Sequence, residues 1–153
     1  MLRSLVGSEM CIRDRSQQAP PAEPTGELAK EGRTAFLAQC AYCHQVNGLT
    51  SEGEYSDEGP VNDYKGLDGA ALPTVRPGVA PNLTHLMSRN RFAGNMFPLY
   101  YEDGTPDEGK LKEWLANPQA MKPMMPDNLQ GMPNLNLDPA TIDALVAYLI
   151  TLD

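Results

Sequence analysis

The clearest hydrophobic pattern in this chain lies close to its last residue. Four aliphatic residues stand at offsets of 0, 3, 4 and 7, the spacing of one apolar helix face: Ile142, Leu145, Val146 and Leu149. Asp138 and Pro139 precede them, and a capping aspartate followed by proline is a typical helix start. The pattern therefore predicts a helix that begins at Pro139 and buries this face.

Three other stretches have weaker helical patterns. Residues 26–40 place apolar side chains among charged ones, with Gly32 set into one face. Residues 105–108, Thr-Pro-Asp-Glu, read as a capping box with proline at the first helical position. We expect the helix that follows to carry Leu111, Trp114 and Leu115 on one face and to end before Pro118. Residues 84–91 form a candidate for one short helix.

The remaining sequence favours irregular structure. Residues 45–80 are rich in Gly, Asp, Glu and Pro, and residues 121–137 contain four methionines and three prolines without a helical period. No stretch alternates apolar and polar residues for long enough to predict a sheet. The chain is thus expected to be a small, loop-rich, all-α domain with three or more helices.

Composition narrows the functional classes. The 153 residues carry a formal charge of −8, which argues against nucleic acid as a partner because phosphate binding needs a basic face. The same charge suits docking to a basic protein, or serves solubility. No apolar run approaches the roughly 20 residues that span a bilayer.

The N-terminal residues follow a different pattern from the rest. Residues 1–15 have no periodicity, and residues 5–14 resemble the translated sequence of a sequencing adapter, so we expect 1–15, with Cys11, to be an artefact. Residues 16–25 have the composition of a Pro-rich linker, which favours another domain upstream of it. This leaves residues 26–153 as one domain.

The strongest chemical motif is C-x-x-C-H, formed by Cys40, Cys43 and His44. Two cysteines at this spacing add across the two vinyl groups of one haem, and the adjacent histidine binds the iron as its proximal ligand, as in c-type haem attachment. A structural zinc site would need two more ligands, and His85 is the one other histidine. A thioredoxin-like dithiol would begin a helix in a βαβ unit, whereas this motif follows a predicted helix.

A histidine-ligated haem used for electron transfer often takes a methionine sulfur as its second axial ligand. Four candidates lie before the last predicted helix: Met121, Met124, Met125 and Met132. Most methionines in such a segment fill gaps in a core. Met125 and Met132 both precede prolines, so the local chemistry leaves the choice open.

Taken together, these residues resemble a class I cytochrome c. More narrowly, residues 26–153 are similar to the haem-c domain at the C-terminus of subunit II of bacterial cytochrome c oxidases. The resemblance rests on the order and spacing of several short matches: C-A-Y-C-H at 40–44, P-N-L-T-H-L at 81–86, S-R at 88–89, W-L-A-N-P at 114–118, K-P at 122–123, G-M-P-N-L at 131–135 and A-L-V-A-Y-L at 144–149. The long loop at 49–78 departs from the short form of that domain.

The resemblance implies a role for several residues. Met132 would be the axial ligand, with Met125 as the alternative, and the Pro81 carbonyl would accept the free N–H of His44. Trp114 would line the haem or bond a propionate, or act as a plain core aromatic. Arg89 would neutralise a propionate or stay solvated, and His85 receives no role. Gly32 would let the first helix cross the last one closely, near Tyr148.

The resemblance also implies the function. The domain would carry electrons through one covalent haem c, from an upstream cytochrome or quinol-oxidising complex to a copper centre on a missing upstream domain, beside the catalytic subunit of a terminal oxidase. It would lie on the periplasmic or extracytoplasmic face, with membrane contact only through the missing region or partner subunits. Whether the chain counts as part of an enzyme depends on that assembly. The alternatives are a free-standing cytochrome c or dehydrogenase subunit, a haem peroxidase, and a zinc or dithiol module.

Overall fold

The computed structural model describes residues 20–50, 53–55, 80–125 and 131–153. The proposed artefact at 1–15, the first part of the linker and most of the loop at 49–78 lie outside these residues. In the described part of the linker, Glu23 forms an ion pair with Arg33 at 2.6 Å. The domain boundaries at 15 and 25 stay predictions.

The described residues form four helices and one short hairpin, which confirms the all-α, loop-rich class. The helices are α1 (Glu27–Gln39), α2 (Glu108–Ala116), α3 (Pro118–Met121) and α4 (Pro139–Leu149). The hairpin pairs β1 (Arg91–Phe92) with β2 (Phe97–Pro98) in antiparallel register. It is too short to leave an alternating pattern in the sequence. No helix in this part of the chain is long and apolar enough to cross a membrane.

The helices α1 and α4, far apart in sequence, pack directly against each other. A Cβ placed on Gly32 would lie 1.9 Å from the Ala144 carbonyl oxygen and 2.8 Å from Tyr148 Cβ. The backbones can approach this closely only because Gly32 has no side chain. The rings of Phe36 and Tyr148, both fully buried, lie 5.5 Å apart beside this crossing. The predicted close crossing of the first and last helices is confirmed.

One described piece of the long loop lies against this helix pair. The Tyr55 hydroxyl is 2.9 Å from the Tyr148 hydroxyl, and the Arg33 guanidinium lies 5.6 Å from the centre of the Tyr55 ring. Burial beside these helices is the main reason that the pKa of Tyr55 is raised. The loop therefore contributes at least this aromatic contact to the domain.

The start of α2 differs from the sequence prediction. Its N-cap is Asp107, whose carboxylate accepts the Lys110 backbone N–H at 2.8 Å, and not Thr105. Thr105 is engaged elsewhere: its backbone N–H and hydroxyl both donate to Asp103. Pro106 forms a β-bridge with Tyr100, which keeps this part of the chain extended. The helix ends before Pro118 as predicted, and Pro118 then begins the short α3.

The predicted helix at 84–91 is wrong. Leu86 and Arg89 donate backbone hydrogen bonds three residues back, which makes isolated turns. Met87, between them, donates its N–H to the carbonyl of Leu152 at 2.8 Å. A tertiary hydrogen bond to the end of the chain therefore replaces the bond that would have propagated a helix.

The start of α4 agrees with the prediction. Asp138 is the N-cap, its carboxylate accepts the Thr141 N–H at 3.0 Å, and Pro139 occupies the first turn. The predicted apolar face is buried, with Leu145 and Val146 at most 1% exposed. This face joins Phe36, Cys40 and Leu115 in the main core cluster.

Candidate haem-binding site

The C-x-x-C-H motif forms a tight turn at the C-terminal end of α1. Cys40 is the helix C-cap and donates its N–H to Phe36, while the N–H groups of Cys43 and His44 both return to the Cys40 carbonyl. Both thiols are free; Cys40 is buried and Cys43 is exposed. One turn of backbone therefore carries two thiols and an imidazole.

The electrostatics of this turn do not favour a reactive dithiol. Burial, and to a lesser extent the neighbouring Cys43, raises the pKa of Cys40 to about 12. A nucleophilic cysteine needs the opposite shift, which helix N-termini and nearby cations provide, whereas this turn lies at a helix C-terminus. Among the described residues, no group of three His, Cys, Asp or Glu side chains is arranged to hold a metal ion.

His44 is oriented by a hydrogen bond to the main chain. Its Nδ1 lies 2.8 Å from the Pro81 carbonyl oxygen. A carbonyl only accepts, so Nδ1 carries the proton and Nε2 keeps a lone pair. Burial lowers the pKa of His44, and the bond to Pro81 opposes that shift. Burial is the larger effect, so the net shift is downward and favours a neutral imidazole, which has one nitrogen available to a metal.

The segment that carries Pro81 is positioned by a small polar network. Thr84, 2% exposed, donates its hydroxyl to the Asn82 carboxamide oxygen and accepts the Asn47 backbone N–H at 2.7 Å. The Asn82 amide nitrogen in turn donates to the Asn47 side chain at 2.9 Å. Leu83 adds a backbone hydrogen bond to Gln45 at 2.8 Å. The network fixes Pro81 beside His44, and the sequence analysis missed it.

Trp114 and Met132 form the second part of the site. The indole Nε1–H of Trp114 donates to the sulfur of Met132, with 3.1 Å between the two heavy atoms. The Trp114 ring also packs against Phe92 and Phe97, with centroid distances of 5.9 and 6.1 Å. Trp114 and Met132 border the same core cluster that contains Cys40.

The other candidate methionines have different surroundings. Met125 is 59% exposed, and the Met124 sulfur accepts from the Gln119 side chain at 3.6 Å. Met121 is half-buried at the end of α3. Of the four, Met132 is the one that packs against the core.

Two polar residues near the motif have arrangements that the sequence did not indicate. The exposed Arg89 donates to the Asn82 carbonyl, so a role toward a propionate stays a prediction. His85 keeps its Nε2 buried without a hydrogen-bond partner in the described part of the chain. The sequence analysis gave His85 no role, and nothing in its local pattern indicated that this nitrogen would be buried.

Comparison with known proteins decides the family. The family model described as Cytochrome c matches residues 29–153, more than half of the chain. The chain belongs to the cytochrome c family. In agreement with the resemblance in its motifs, this cytochrome is 29% identical over 138 residues to cytochrome c oxidase subunit 2 of Bacillus sp. (strain PS3). That match covers 90% of the chain and 30% of the relative, so the chain spans less than a third of that protein's length.

Membership of the family makes this protein a haem-dependent electron carrier. Its residues fit such a group: two unpaired thiols, a neutral imidazole held through Nδ1, and a thioether sulfur at the core boundary. Haem iron takes histidine and methionine as axial ligands, and a soft thioether favours the ferrous state.

Proposed function

We propose that this cytochrome carries electrons through one haem attached covalently to Cys40 and Cys43, with His44 and Met132 as the axial ligands. The observation that carries the proposal is the hydrogen bond from His44 Nδ1 to the Pro81 carbonyl. It leaves Nε2 free for iron, on the same turn as two unpaired thiols. Such outer contacts fix the ring and raise its basicity as a ligand.

The two cysteines supply the covalent attachment. Each thiol adds its S–H across one vinyl group, so that a C–S bond and a C–H bond form and no atom is lost. Neither cysteine is in a disulfide, which leaves both sulfurs available for this addition. The attached group carries one electron at a time on its iron, and the chain's own part is to hold the ligands and exclude water.

Met132 is favoured over Met125 as the second ligand by its surroundings. The Met132 side chain is half-buried against the core, whereas Met125 is 59% exposed. A ligand held by packed neighbours moves little between oxidation states, which keeps the reorganisation on electron transfer small. Cys43 and Tyr42 are exposed in the attachment turn, and a redox partner would approach the protein there.

The experiment compares variants of the protein matured with the c-type attachment machinery. Acid-acetone extraction should leave the haem on the unmodified chain, whereas the Cys40→Ala/Cys43→Ala variant should release all of it. Met132→Ala should abolish the methionine-ligated, low-spin absorption spectrum, and Met125→Ala should leave it unchanged. Haem that is extracted from the unmodified chain contradicts covalent attachment. The reverse result for the two methionines moves the ligand to Met125.

We further propose that the domain is the electron relay of subunit II of a terminal oxidase, on the extracytoplasmic face of a membrane. The similarity to an oxidase subunit 2 over 90% of the chain supports this, as does the Pro-rich stretch before residue 26. The donor would be an upstream cytochrome or quinol-oxidising complex. The acceptor would be a copper centre on a preceding domain, beside the catalytic subunit.

The gene upstream of residue 16 tests this assignment. We expect it to encode a copper-binding domain preceded by membrane spans. In the purified oxidase, a light-triggered electron injected into the haem should then reach the copper centre. An upstream sequence without copper ligands would contradict the relay and favour a free-standing cytochrome or a dehydrogenase subunit.

A further inference from the structure

The described part of the Pro-rich stretch, residues 20–25, lies against the cytochrome domain. Pro21 and Pro24 are buried, whereas the two residues between them are exposed. Prolines favour the polyproline II conformation, which has three residues per turn, so positions three apart face the same side. The burial pattern therefore indicates that one side of this segment is in contact with the domain.

The exposed side of the segment is joined to α1 through Arg33. The Arg33 guanidinium is 2.6 Å from the Glu23 carboxylate, and the Arg33 side chain is 13% exposed, against 57% for Glu23. The same guanidinium lies 5.6 Å from the centre of the Tyr55 ring, which belongs to the long loop. A cation that is partly withdrawn from water interacts more strongly with a carboxylate or an aromatic face than an exposed cation does. Arg33 is therefore the residue at which the segment, the long loop and α1 meet.

The surroundings of Arg33 connect it to the rest of the domain. The long loop passes close to its side chain, since a Cβ on Gly53 would lie 3.8 Å from Arg33 Nε. Tyr55 in turn shares a hydrogen bond with Tyr148 on α4. Arg33 also precedes Cys40, the C-cap of α1, by seven residues, or about 10 Å along the helix axis. The segment is thus anchored on the same helix whose C-terminal end carries the attachment turn.

We propose that residues 20–25 are a docked spacer, anchored by Arg33, that holds the upstream copper domain at one position relative to the haem. The proposal rests on the relay function given above. A flexible tether would let the two domains sample many separations, and the rate of electron transfer falls steeply with separation. With a docked spacer, transfer from haem to copper needs no movement of the domain. Arg33 is thus a positioning residue that acts through the spacer.

The mobility of a nitroxide label on the spacer tests the docking. Ala22→Cys places the label on an exposed position between the two buried prolines. In the holoprotein Cys40 and Cys43 carry the haem, so Cys11→Ser leaves the new cysteine as the single reactive thiol. In the ferrous state, the electron paramagnetic resonance spectrum should then be dominated by an immobilised component.

Arg33→Gln removes both the ion pair and the cation–π contact. The equilibrium between docked and released spacer should shift toward the released form about tenfold, seen as growth of a mobile component. The matched control is Lys30→Gln, which removes the exposed ion pair of Lys30 with Glu27 on the same helix and leaves Arg33 in place. The control should leave the spectrum unchanged.

Glu23→Gln covers the case in which Arg33→Gln does not fold. It changes the exposed partner of the ion pair and keeps Arg33 over Tyr55, so the shift toward the released form should be smaller, about twofold to fivefold. A label that is already mobile in the Ala22→Cys protein overturns the proposal. Equal shifts in Lys30→Gln and Arg33→Gln overturn it as well.

The viscosity dependence of electron transfer tests the function of the spacer. In the purified oxidase, the rate from haem to copper after light-triggered injection should not change with added glycerol, because no domain has to move. In Arg33→Gln the rate should be lower and should fall further as the viscosity rises, because the released domain must diffuse into a productive position. Lys30→Gln should behave as the unmodified oxidase does.

The two experiments distinguish failure of the spacer from failure of the relay. If electrons reach the copper centre but the rate in the unmodified oxidase already falls with viscosity, the relay stands and the spacer proposal is wrong. If the upstream region contains no copper domain, the relay is wrong and the spacer proposal with it.

Discussion

The helix pair α1–α4 and the turns around Pro81 are held by different kinds of contact. In the helix pair, Gly32 lies against the bare backbone of Ala144, and apolar side chains surround the crossing. Around Pro81, a chain of side-chain hydrogen bonds through Asn82 and Thr84 does the positioning. Close packing tolerates no added atom, whereas a polar network tolerates no missing partner. The two regions should therefore fail in response to opposite kinds of substitution.

The largest effect is expected at Gly32. Gly32→Ala adds one methyl group that would lie 1.9 Å from the Ala144 carbonyl oxygen, so α1 and α4 must separate. We expect the holoprotein to lose about 3 kcal/mol or more in its free energy of unfolding, at the upper end of overpacking effects. The measurement is denaturant unfolding.

The matched control is Gly109→Ala on α2, where the added Cβ would meet its nearest neighbour at an ordinary 3.5 Å. We expect it to be neutral or to stabilise by up to about 0.5–1 kcal/mol, since alanine is the better helix former. Equal losses in the two variants would show that the crossing is not close-packed.

The next largest effect is expected at Thr84. Thr84→Val keeps the shape of the side chain and removes the hydroxyl, which leaves the Asn47 backbone N–H without this acceptor. We expect a loss of about 1–3 kcal/mol in the free energy of unfolding. Thr34→Val on the exposed side of α1 is the control and should change stability by less than about 0.5 kcal/mol. Similar values for both variants would mean that the network does not position this segment.

The sequence predicted some of this molecule well because the signals were local. The helix α4 follows from four apolar residues at one spacing and one capping aspartate, and the C-x-x-C-H turn is contiguous. The predicted helix at 84–91 is wrong because the Met87 N–H finds its acceptor at Leu152, far away in sequence. A window of neighbouring residues carries no information about such a bond.

The candidate site could be predicted only in part, because its C-x-x-C-H turn is contiguous in the sequence and its other residues are not. The choice of Met132 over Met125 needed the resemblance to a family, because both methionines precede prolines in one irregular segment. The contact of Trp114 with Met132 joins a helix to that segment and leaves no trace in either local pattern. Buried polar residues such as Asn47 and Thr84 were the signal available for the network, and it becomes readable only once burial is known.

A smaller effect is expected at the start of α4, where Asp138 caps the helix. The Thr141 hydroxyl and N–H lower the pKa of Asp138, so its ionised form is stabilised in the folded state. This stabilisation is present above the unfolded pKa and is lost as the pH falls through the lower folded pKa. Asp138→Ala should lower the thermal midpoint at pH 7 by roughly 3–6 °C.

Thermal midpoints measured over a range of pH test this role of Asp138. As the pH falls below about 4, the difference in thermal midpoint between the unmodified protein and Asp138→Ala should shrink. Asp138→Asn keeps an acceptor oxygen without the charge, so its thermal midpoint at pH 7 should lie between those of the unmodified protein and Asp138→Ala. A difference that is constant with pH contradicts the role of the charge.

The smallest effect is expected at the surface pair of Lys112 on α2 and Asp143 on α4. Their charged atoms are 2.8 Å apart, yet the side chains are 43% and 52% exposed. Solvent screens such a pair, so Lys112→Ala should move the thermal midpoint by less than about 2 °C, and added salt should remove that difference. A shift as large as that of Asp138→Ala would show that charge pairing contributes to the helix contact.

The crossing of α1 and α4 also bears on how this domain accommodates changes in length. The contact between Gly32 and Ala144 joins two positions that are more than a hundred residues apart in the sequence. The stretch between Tyr55 and Ala80 lies between these two positions in the sequence. The entropy of closing a flexible loop grows only logarithmically, by about 0.6 kcal/mol for each doubling. Related domains can therefore gain or lose residues between the two helices while the contact between Gly32 and Ala144 is kept.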